Sequence, residues 1–203
     1  MNRLTGFVLT ACLLTLAACS KPEPAAQPAP APPAAEPVPE PAADETTRPR
    51  NDAAVINFEG FGPAKFGANE EQVRMSWGRP LQAGTPAPGA SCYQLFMDPK
   101  PESGTGIAFL FEEGKFARYD VDVPQHVAPG GFSVGARAED ILAAFAGRIE
   151  VQPHKYVEGA RNLIVSPADG GAARLIFEVN AAGAVSSWRI GVSPQINYVE
   201  GCG

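Results

Sequence analysis

Proline and alanine dominate one continuous stretch of the chain, and this stretch limits where a fold can form. Between Lys21 and Arg50, 18 of 30 residues are Pro or Ala. Closely spaced prolines exclude helix and remove backbone hydrogen-bond donors, so we expect an extended tether biased toward polyproline II. At about 3.1 Å per residue its maximal reach is roughly 90 Å. Featureless disorder without a selected length is equally compatible. In either case the folded part is expected in residues 51–203.

A short apolar segment precedes the tether. Arg3 supplies a positive charge, and Phe7–Leu16 is an apolar run too short for the roughly 20 residues that span a bilayer. This pattern is typical of a signal peptide. The run ends in Leu-Ala-Ala-Cys at residues 16–19, which resembles the lipobox of bacterial lipoproteins. The resemblance implies a signal peptide over residues 1–18 and a lipid on Cys19. The alternative is cleavage after Ala18 with Cys19 left as a free thiol.

The residue after the cysteine bears on localisation. Ser20 stands where an Asp would favour inner-membrane retention in the enterobacterial pattern. The resemblance therefore implies an outer-membrane lipoprotein that faces the periplasm or the cell surface. Several acyl chains on Cys19 would form a permanent anchor, because each buried methylene contributes about 0.8 kcal/mol. The folded domain then needs no contact with lipid.

Composition excludes some classes of partner for the domain. Residues 52–200 contain 12 Lys/Arg and 17 Asp/Glu, a net charge of −5. A surface of this sign is a poor match for nucleic acid, and no basic cluster opposes it. About 150 residues are enough for one compact domain with a core.

The cysteines predict one disulfide. Cys12 leaves with the signal peptide and Cys19 carries the lipid, so Cys92 and Cys202 remain as a pair in an oxidising compartment. A bridge between them closes a loop of about 110 residues and contributes up to about 4.7 kcal/mol on the chain-entropy model. Two distant cysteines with only two histidines in the chain do not form a zinc signature, so we expect no metal and no cofactor.

Two segments of the domain resemble each other at a constant offset of 68 positions. Residues 66–77 align with residues 134–145, and the same offset lays 107–111 over 175–179. The order and spacing of these matches predict a duplication, with repeats at about 58–124 and 125–193. The aligned pairs are Gly67/Gly135, Ala68/Ala136, Glu71/Glu139, Val73/Ile141 and Trp77/Phe145.

Each predicted repeat begins with a short helix and continues in antiparallel strands. Apolar residues four positions apart indicate one buried helix face in each copy. Asn69 can cap the first helix with Gln72 three residues later, whereas Arg137 stands at the second cap position. The expected fold class is α+β, with the helices packed on one face of a shared or adjoining sheet. The expected strands are 107–111, 116–123, 175–179 and 185–192, with further strands near 92–96 and 163–166.

This pattern, with its apolar-Gly-Ala entry into a helix, resembles two related families. One is the β-lactamase inhibitor protein, built from two such units, and the other is the one-unit outer-membrane lipoprotein group typified by BamE/SmpA. The resemblance covers most of residues 60–192 and implies a tandem domain that binds proteins or inhibits an enzyme. The tandem family has a disulfide within each unit, whereas this chain has one cysteine pair across both, so no inhibitory loop is carried over.

No catalytic centre is expected. Gly-x-Ser-x-Gly at residues 131–135 matches the nucleophile elbow of α/β-hydrolases, but an elbow needs a parallel sheet and an acid and a histidine at suitable positions downstream. Gly135 is already explained by its alignment with Gly67. Asp120 and Asp122 share one face of a strand and are expected on its polar side, opposite Tyr119. We therefore predict that the chain is not an enzyme.

Four residues are candidates for a binding surface: Trp188, Tyr156, Tyr198 and His154. An exposed aromatic ring can stack on the apolar face of a sugar. For each ring the alternative is burial in the core, and for His154 it is an ordinary loop position. The stretches 153–156 and 191–202 resemble a group of xanthomonad-type lipoproteins, some of which are labelled lectins.

Taken together, these features predict an envelope lipoprotein with a non-catalytic binding or scaffolding domain for an envelope protein partner. Two alternatives remain open. One is a lectin-like domain that binds a glycan or peptidoglycan, and the other is an enzyme inhibitor of the β-lactamase-inhibitor type.

Overall fold

A computed structural model describes residues 55–85 and 88–202. The predicted signal peptide, Cys19 and the tether lie outside the described residues. Within them no helix is long and apolar enough to cross a membrane. The strands are β1 (Ile56–Asn57), β2 (Gly60–Phe61), β3 (Ala64–Lys65), β4 (Leu81–Ala83), β5 (Cys92–Met97), β6 (Ile107–Glu112), β7 (Lys115–Val121), β8 (Ile149–Pro153), β9 (Arg161–Val165), β10 (Arg174–Val179) and β11 (Val185–Gly191), and the α-helices are α1 (Glu70–Trp77) and α2 (Ala138–Ala144).

Two antiparallel sheets contain all of these strands. The large sheet has the order β4-β5-β6-β7-β11-β10-β9-β8, and the small sheet has the order β1-β2-β3. At the centre of the large sheet, β7 pairs with β11 through Val121 opposite Trp188 and Arg118 opposite Gly191. The hairpins β6–β7 and β10–β11 were both predicted from the sequence, and the structure confirms them.

The predicted α+β class, with two helix-plus-strand repeats, is wrong. The described residues are mostly β: one continuous eight-stranded sheet dominates, and the two helices have only 8 and 7 residues. The small sheet was not predicted, because strands of two residues are too short to show an alternating pattern. Each helix contributes two buried side chains, whereas the large sheet supplies most of the core.

Helix α1 begins where the sequence predicts. The Asn69 side chain accepts from the Gln72 backbone N–H at 3.0 Å, and the Gln72 side chain accepts from the Asn69 N–H at 3.0 Å. This capping box confirms the prediction. The helix ends at Gly78, whose φ of 70° suits a residue without Cβ. In α2, Arg137 provides no side-chain cap, as expected.

One face of the large sheet, the apolar face, carries the core. Its alternate positions include Phe109, Tyr119, Phe177 and Trp188, none of which is more than 1 % exposed. The small sheet and both helices pack against these side chains. Phe61 of β2 lies edge-on to Phe109, with ring centroids 5.1 Å apart. The small sheet, both helices and Phe132 of the loop before α2 thus pack over the apolar face.

The opposite face of the large sheet, the polar face, carries a row of charged side chains at its centre. These side chains belong to β7, β10 and β11, and Gln94 and Phe96 of β5 lie on the same face by strand alternation. After β11 the chain turns back across this face and forms the 3-10 helix Gln195–Asn197. The charged residues at the centre of the polar face include Arg118, Asp120, Glu178 and Arg189, and Asp122 lines the same cleft.

Candidate functional site

Two buried arginines organise the polar face. Arg118 is 3 % exposed and its Nε donates to Asp120 Oδ2 at 2.9 Å. Arg189 is 6 % exposed and pairs with the Glu178 carboxylate, which also accepts from the Ser187 hydroxyl. Burial raises the pKa of Asp120 above its ordinary value, although the nearby Arg118 and Arg189 oppose this shift. The guanidinium groups are therefore paired within the fold.

The same arginines hold the C-terminal segment, residues 192–202, on the polar face. Arg118 Nη1 donates to the backbone carbonyls of Gln195 at 2.8 Å and Tyr198 at 2.6 Å. Arg189 Nε donates to the carbonyl of Ile196 at 2.9 Å. These carbonyls belong to the 3-10 helix and the residue that follows it, and such groups need partners when buried. Ile196 itself is 1 % exposed.

The predicted disulfide between Cys92 and Cys202 is present, with Cα atoms 5.5 Å apart. It joins the first residue of β5 to the end of the described chain. Together with Leu110 and Ala117, the two cysteines form a small apolar cluster on the polar face. The last residues are thus covalently attached to the large sheet.

Two cavities flank the C-terminal segment. The sheet cleft, about 270 Å³, is polar and is lined by the four central charged residues together with Gln94, Phe96 and the 105–106 loop. The C-terminal cleft, about 450 Å³, is lined by Lys155, Tyr156 and residues 197–202. Val199, Glu200 and Gly201 line both cavities and form the wall between them.

The structure brings two of the four predicted binding residues together. Tyr156 is 57 % exposed and lines the C-terminal cleft with the half-buried Tyr198. Lys155 Nζ lies 4.9 Å from the centroid of the Tyr156 ring, and interaction with the Tyr156 side chain raises the pKa of Lys155. Glu200, a further cleft residue, adds to this shift.

His154 lies beside this cleft rather than in its wall. Its Nδ1 accepts from the backbone N–H groups of Tyr156 and Val157, both at 3.1 Å. Its ring centroid is 6.4 Å from that of Tyr156. His154 therefore shapes the turn that presents Tyr156, which is a positioning role.

Trp188 is not a surface residue, and this part of the predicted binding surface is wrong. Trp188 is 1 % exposed and packs edge-on against Tyr119, with ring centroids 6.2 Å apart. Its indole Nε1 has no hydrogen-bond partner among the described residues. Trp188 shares the apolar face with Ile190, whereas Ser187 and Arg189 point to the polar face.

Sequence reasoning missed the two buried arginines and the shared wall of Val199–Gly201. One signal was available for the arginines. Arg118 and Asp120 are two positions apart on one strand, so their side chains share a face and can pair. No comparable signal exists for Val199–Gly201, because that stretch is positioned by contacts distant in sequence.

Two specific arrangements, a nucleophile elbow and a metal-binding cluster, are not found in the described part of the chain. Every strand pairing there is antiparallel, so Ser133 does not lie on the strand-to-helix turn of a parallel sheet that an elbow requires. Within residues 55–85 and 88–202, no three His, Cys, Asp or Glu side chains are grouped so that they could hold a metal ion.

Comparison with known proteins gives distant similarity only. No family model matches the chain, and no curated protein matches it. Three solved structures show partial similarity. An extracellular protein containing an SCP domain from Bacillus anthracis has a TM-score of 0.44 and 11 % identity, over 63 % of this chain and 44 % of that one. This chain therefore spans less than half the length of that protein.

The other two solved structures match over more of their own length. The uncharacterized protein yfeY from Escherichia coli has a TM-score of 0.44 and 13 % identity, over 67 % of this chain and 95 % of that one. A DUF4309 family protein, YjgB, from Bacillus subtilis has a TM-score of 0.39 and 10 % identity, over 70 % and 92 %. None of the three is described as a β-lactamase inhibitor or BamE/SmpA protein, so that resemblance stays a prediction.

Proposed function

We propose that this chain is an envelope-anchored lipoprotein whose domain binds a protein partner without catalysing a reaction on it. The proposal is carried by the distribution of exposed large apolar side chains. Of five in the described residues, three lie close together in sequence, at Val151, Tyr156 and Val157, and a fourth is Val199. Tyr156 and Val199 line the C-terminal cleft. Exposed tyrosine and apolar side chains grouped with charged ones are typical of binding surfaces.

The predicted lipid anchor would keep this binding surface close to other envelope components. A domain on a tether from Cys19 remains within reach of other envelope components, so a weak contact can form repeatedly at a high effective concentration. The domain itself needs no affinity for lipid, since the anchor supplies attachment. The partner is therefore expected in the periplasm or on the cell surface.

A glycan is the second candidate ligand, and the chemistry of the C-terminal cleft favours it. Tyr156 and Tyr198 offer flat apolar rings for the face of a sugar. Asn197, Glu200 and Lys155 supply an amide, a carboxylate and an ammonium group beside these rings, and such groups can bind sugar hydroxyls.

Site-specific photo-crosslinking in whole cells separates these candidates. A benzophenone amino acid in place of Val157, which is 52 % exposed, keeps Tyr156 intact and lies next to the cleft. The matched control is the same amino acid in place of Met75, which is 67 % exposed on α1. We expect a discrete protein adduct from position 157 and no such adduct from position 75.

The outcomes are distinct. A protein adduct that disappears in a Tyr156→Ala background supports the protein partner. A heterogeneous adduct that collapses after digestion with a glycan hydrolase supports the glycan. Equal adducts from positions 157 and 75, or none from 157, contradict the proposed binding surface.

A further inference from the structure

The C-terminal segment is attached to the domain at two points of different chemistry. The first point is non-covalent and covers residues 192–198. Backbone hydrogen bonds join Ile196 N–H to Val192 O at 2.9 Å and Tyr198 N–H to Gln195 O at 3.2 Å. Arg118 and Arg189 add three hydrogen bonds to carbonyls of this stretch. Ordinary folding interactions therefore hold the segment as far as Tyr198.

The second point is the disulfide. Val199, Glu200 and Gly201 lie in a turn, and among the described residues they form no backbone hydrogen bond to the large sheet. Gly201 approaches Gln94 closely, because a Cβ on Gly201 would lie 2.7 Å from Gln94 Oε1. This contact is set by Cys202, the next residue, which is bonded to Cys92. Removal of the S–S bond thus removes the covalent restraint on residues 199–202 and leaves only the packing of Cys202 against Leu110 and Ala117.

The main core, on the apolar face of the large sheet, does not include residues 199–202. The large sheet ends at Gly191, and the main apolar cluster contains no residue after Ile190. Loss of the second attachment leaves the pairing of both sheets and the cover of the apolar face in place. It removes the common wall of the two clefts, since Val199, Glu200 and Gly201 line both.

We propose that the Cys92–Cys202 disulfide is a redox switch that assembles the binding site by fixing residues 199–201 between the two clefts. In the oxidised domain both clefts exist, and in the reduced domain the wall is released while the fold persists. The functional consequence, that only the oxidised chain binds the partner, rests on the proposed function.

The chemistry of the switch is ordinary thiol–disulfide exchange. A dithiol reductant supplies two electrons and two protons, the S–S bond breaks, and Cys92 and Cys202 become thiols while the reductant forms its own disulfide. An oxidising dithiol–disulfide protein of the envelope reverses the step. The state of the site then follows the redox poise of its compartment.

Amide NMR of the domain tests the structural step without any ligand. The samples are oxidised protein, the same protein reduced with dithiothreitol, and a Cys92→Ser variant whose chain ends after Tyr198. In the reduced sample we expect the amide signals of Val199, Glu200 and Gly201 to move to random-coil positions and sharpen. The signals of Ile196 and of the large sheet stay within a linewidth of their oxidised positions, and the shortened variant reproduces this sheet spectrum.

Crosslinking from position 157 tests the functional step. Adduct yield falls by about tenfold in cells that carry Cys92→Ser with Cys202→Ser, the size of effect expected when an anchoring contact is lost. The switch is contradicted if residues 199–201 keep their shifts after reduction, if the reduced domain unfolds, or if the thiol-free chain crosslinks as well as wild type. If the oxidised chain forms no adduct, the proposed function fails, while the NMR result still decides whether the wall is released.

Discussion

The two faces of the large sheet are covered in different ways. The apolar face is covered by the small sheet and both helices through aromatic side chains such as Phe61, Trp77 and Phe145. The polar face is crossed by a C-terminal segment that two ion-paired arginines and a disulfide hold in place. Apolar burial stabilises the fold without directing it, whereas hydrogen-bonded charges fix the position of a segment. The difference assigns stability to the first face, and it supports our proposal that a partner is bound on the side of the second.

The largest expected effect is on the apolar face. Phe109 is fully buried and its ring contacts Phe61, Trp77 and Tyr119. We expect Phe109→Ala to lower the free energy of unfolding by about 3–5 kcal/mol, because it removes the ring and leaves a cavity. Urea denaturation measures the change. A loss below 1 kcal/mol contradicts the claim that this face carries the stability.

A smaller effect is expected on the polar face. Arg189→Met removes the pair with Glu178 and the hydrogen bond to the Ile196 carbonyl. We expect a loss of about 1–3 kcal/mol, since the Ile196 carbonyl loses its donor and the Glu178 carboxylate keeps only the Ser187 hydroxyl. The double variant Arg189→Met with Glu178→Leu serves as the control, because removal of both charges avoids an unpaired carboxylate. If the double variant is less stable than Arg189→Met alone, the loss of stability does not come from an unpaired Glu178 carboxylate.

The two helices that pack on the apolar face differ in their N-terminal caps, and this difference can be tested. Asn69→Ala removes the capping box of α1 and should destabilise the domain by about 1 kcal/mol. Arg137→Asn supplies α2 with the side-chain cap that it lacks, and should stabilise by up to about 1 kcal/mol. Thermal denaturation of both variants gives shifts of opposite sign. If the two variants shift the melting temperature in the same direction, the side-chain caps do not determine the stability of these helices.

The smallest effect concerns the titration of Asp120. Burial holds its pKa above the ordinary value of 3.8, so the folded state binds this proton more tightly than the unfolded state does. Its contribution to the free energy of unfolding therefore rises as pH falls through the folded pKa toward 3.8. Carboxyl carbon NMR should give a midpoint above 3.8, and Arg118→Met should raise it further by removing an opposing charge. A midpoint at or below 3.8 is the contrary result.

Local signals in the sequence predicted local structure. Asn69 and Gln72 predicted the start of α1, and pairs of strand-like runs separated by a few residues predicted the two hairpins. The structure confirms each. The Cys92–Cys202 bond followed from counting cysteines in an oxidising compartment and is also present. The cap and the hairpins depend on residues that are close in sequence, and the disulfide followed because only two cysteines remained to pair. None of these predictions required knowledge of the packing.

Features set by packing were not predicted. The predicted α+β fold class was wrong. The two aligned segments each suggested a helix as a main element of a repeat, whereas the structure has one continuous eight-stranded sheet and two helices of 8 and 7 residues. Trp188 was misplaced although its alternation with Arg189 was visible, because alternation does not say which face is apolar. Tyr156 and Tyr198 were proposed for a binding surface from their residue type, whereas their meeting in one cleft depends on the return of the C-terminal segment.

The central claim is that the side of the domain bearing the C-terminal cleft, and not the helix side, recognises the partner. The most direct measurement is the ratio of adduct yields from the benzophenone at positions 157 and 75 in living cells. The account predicts a partner adduct from position 157 that vanishes with Tyr156→Ala, and background yield from position 75. Equal yields from the two positions, or a yield from 157 that is indifferent to Tyr156→Ala, would contradict it.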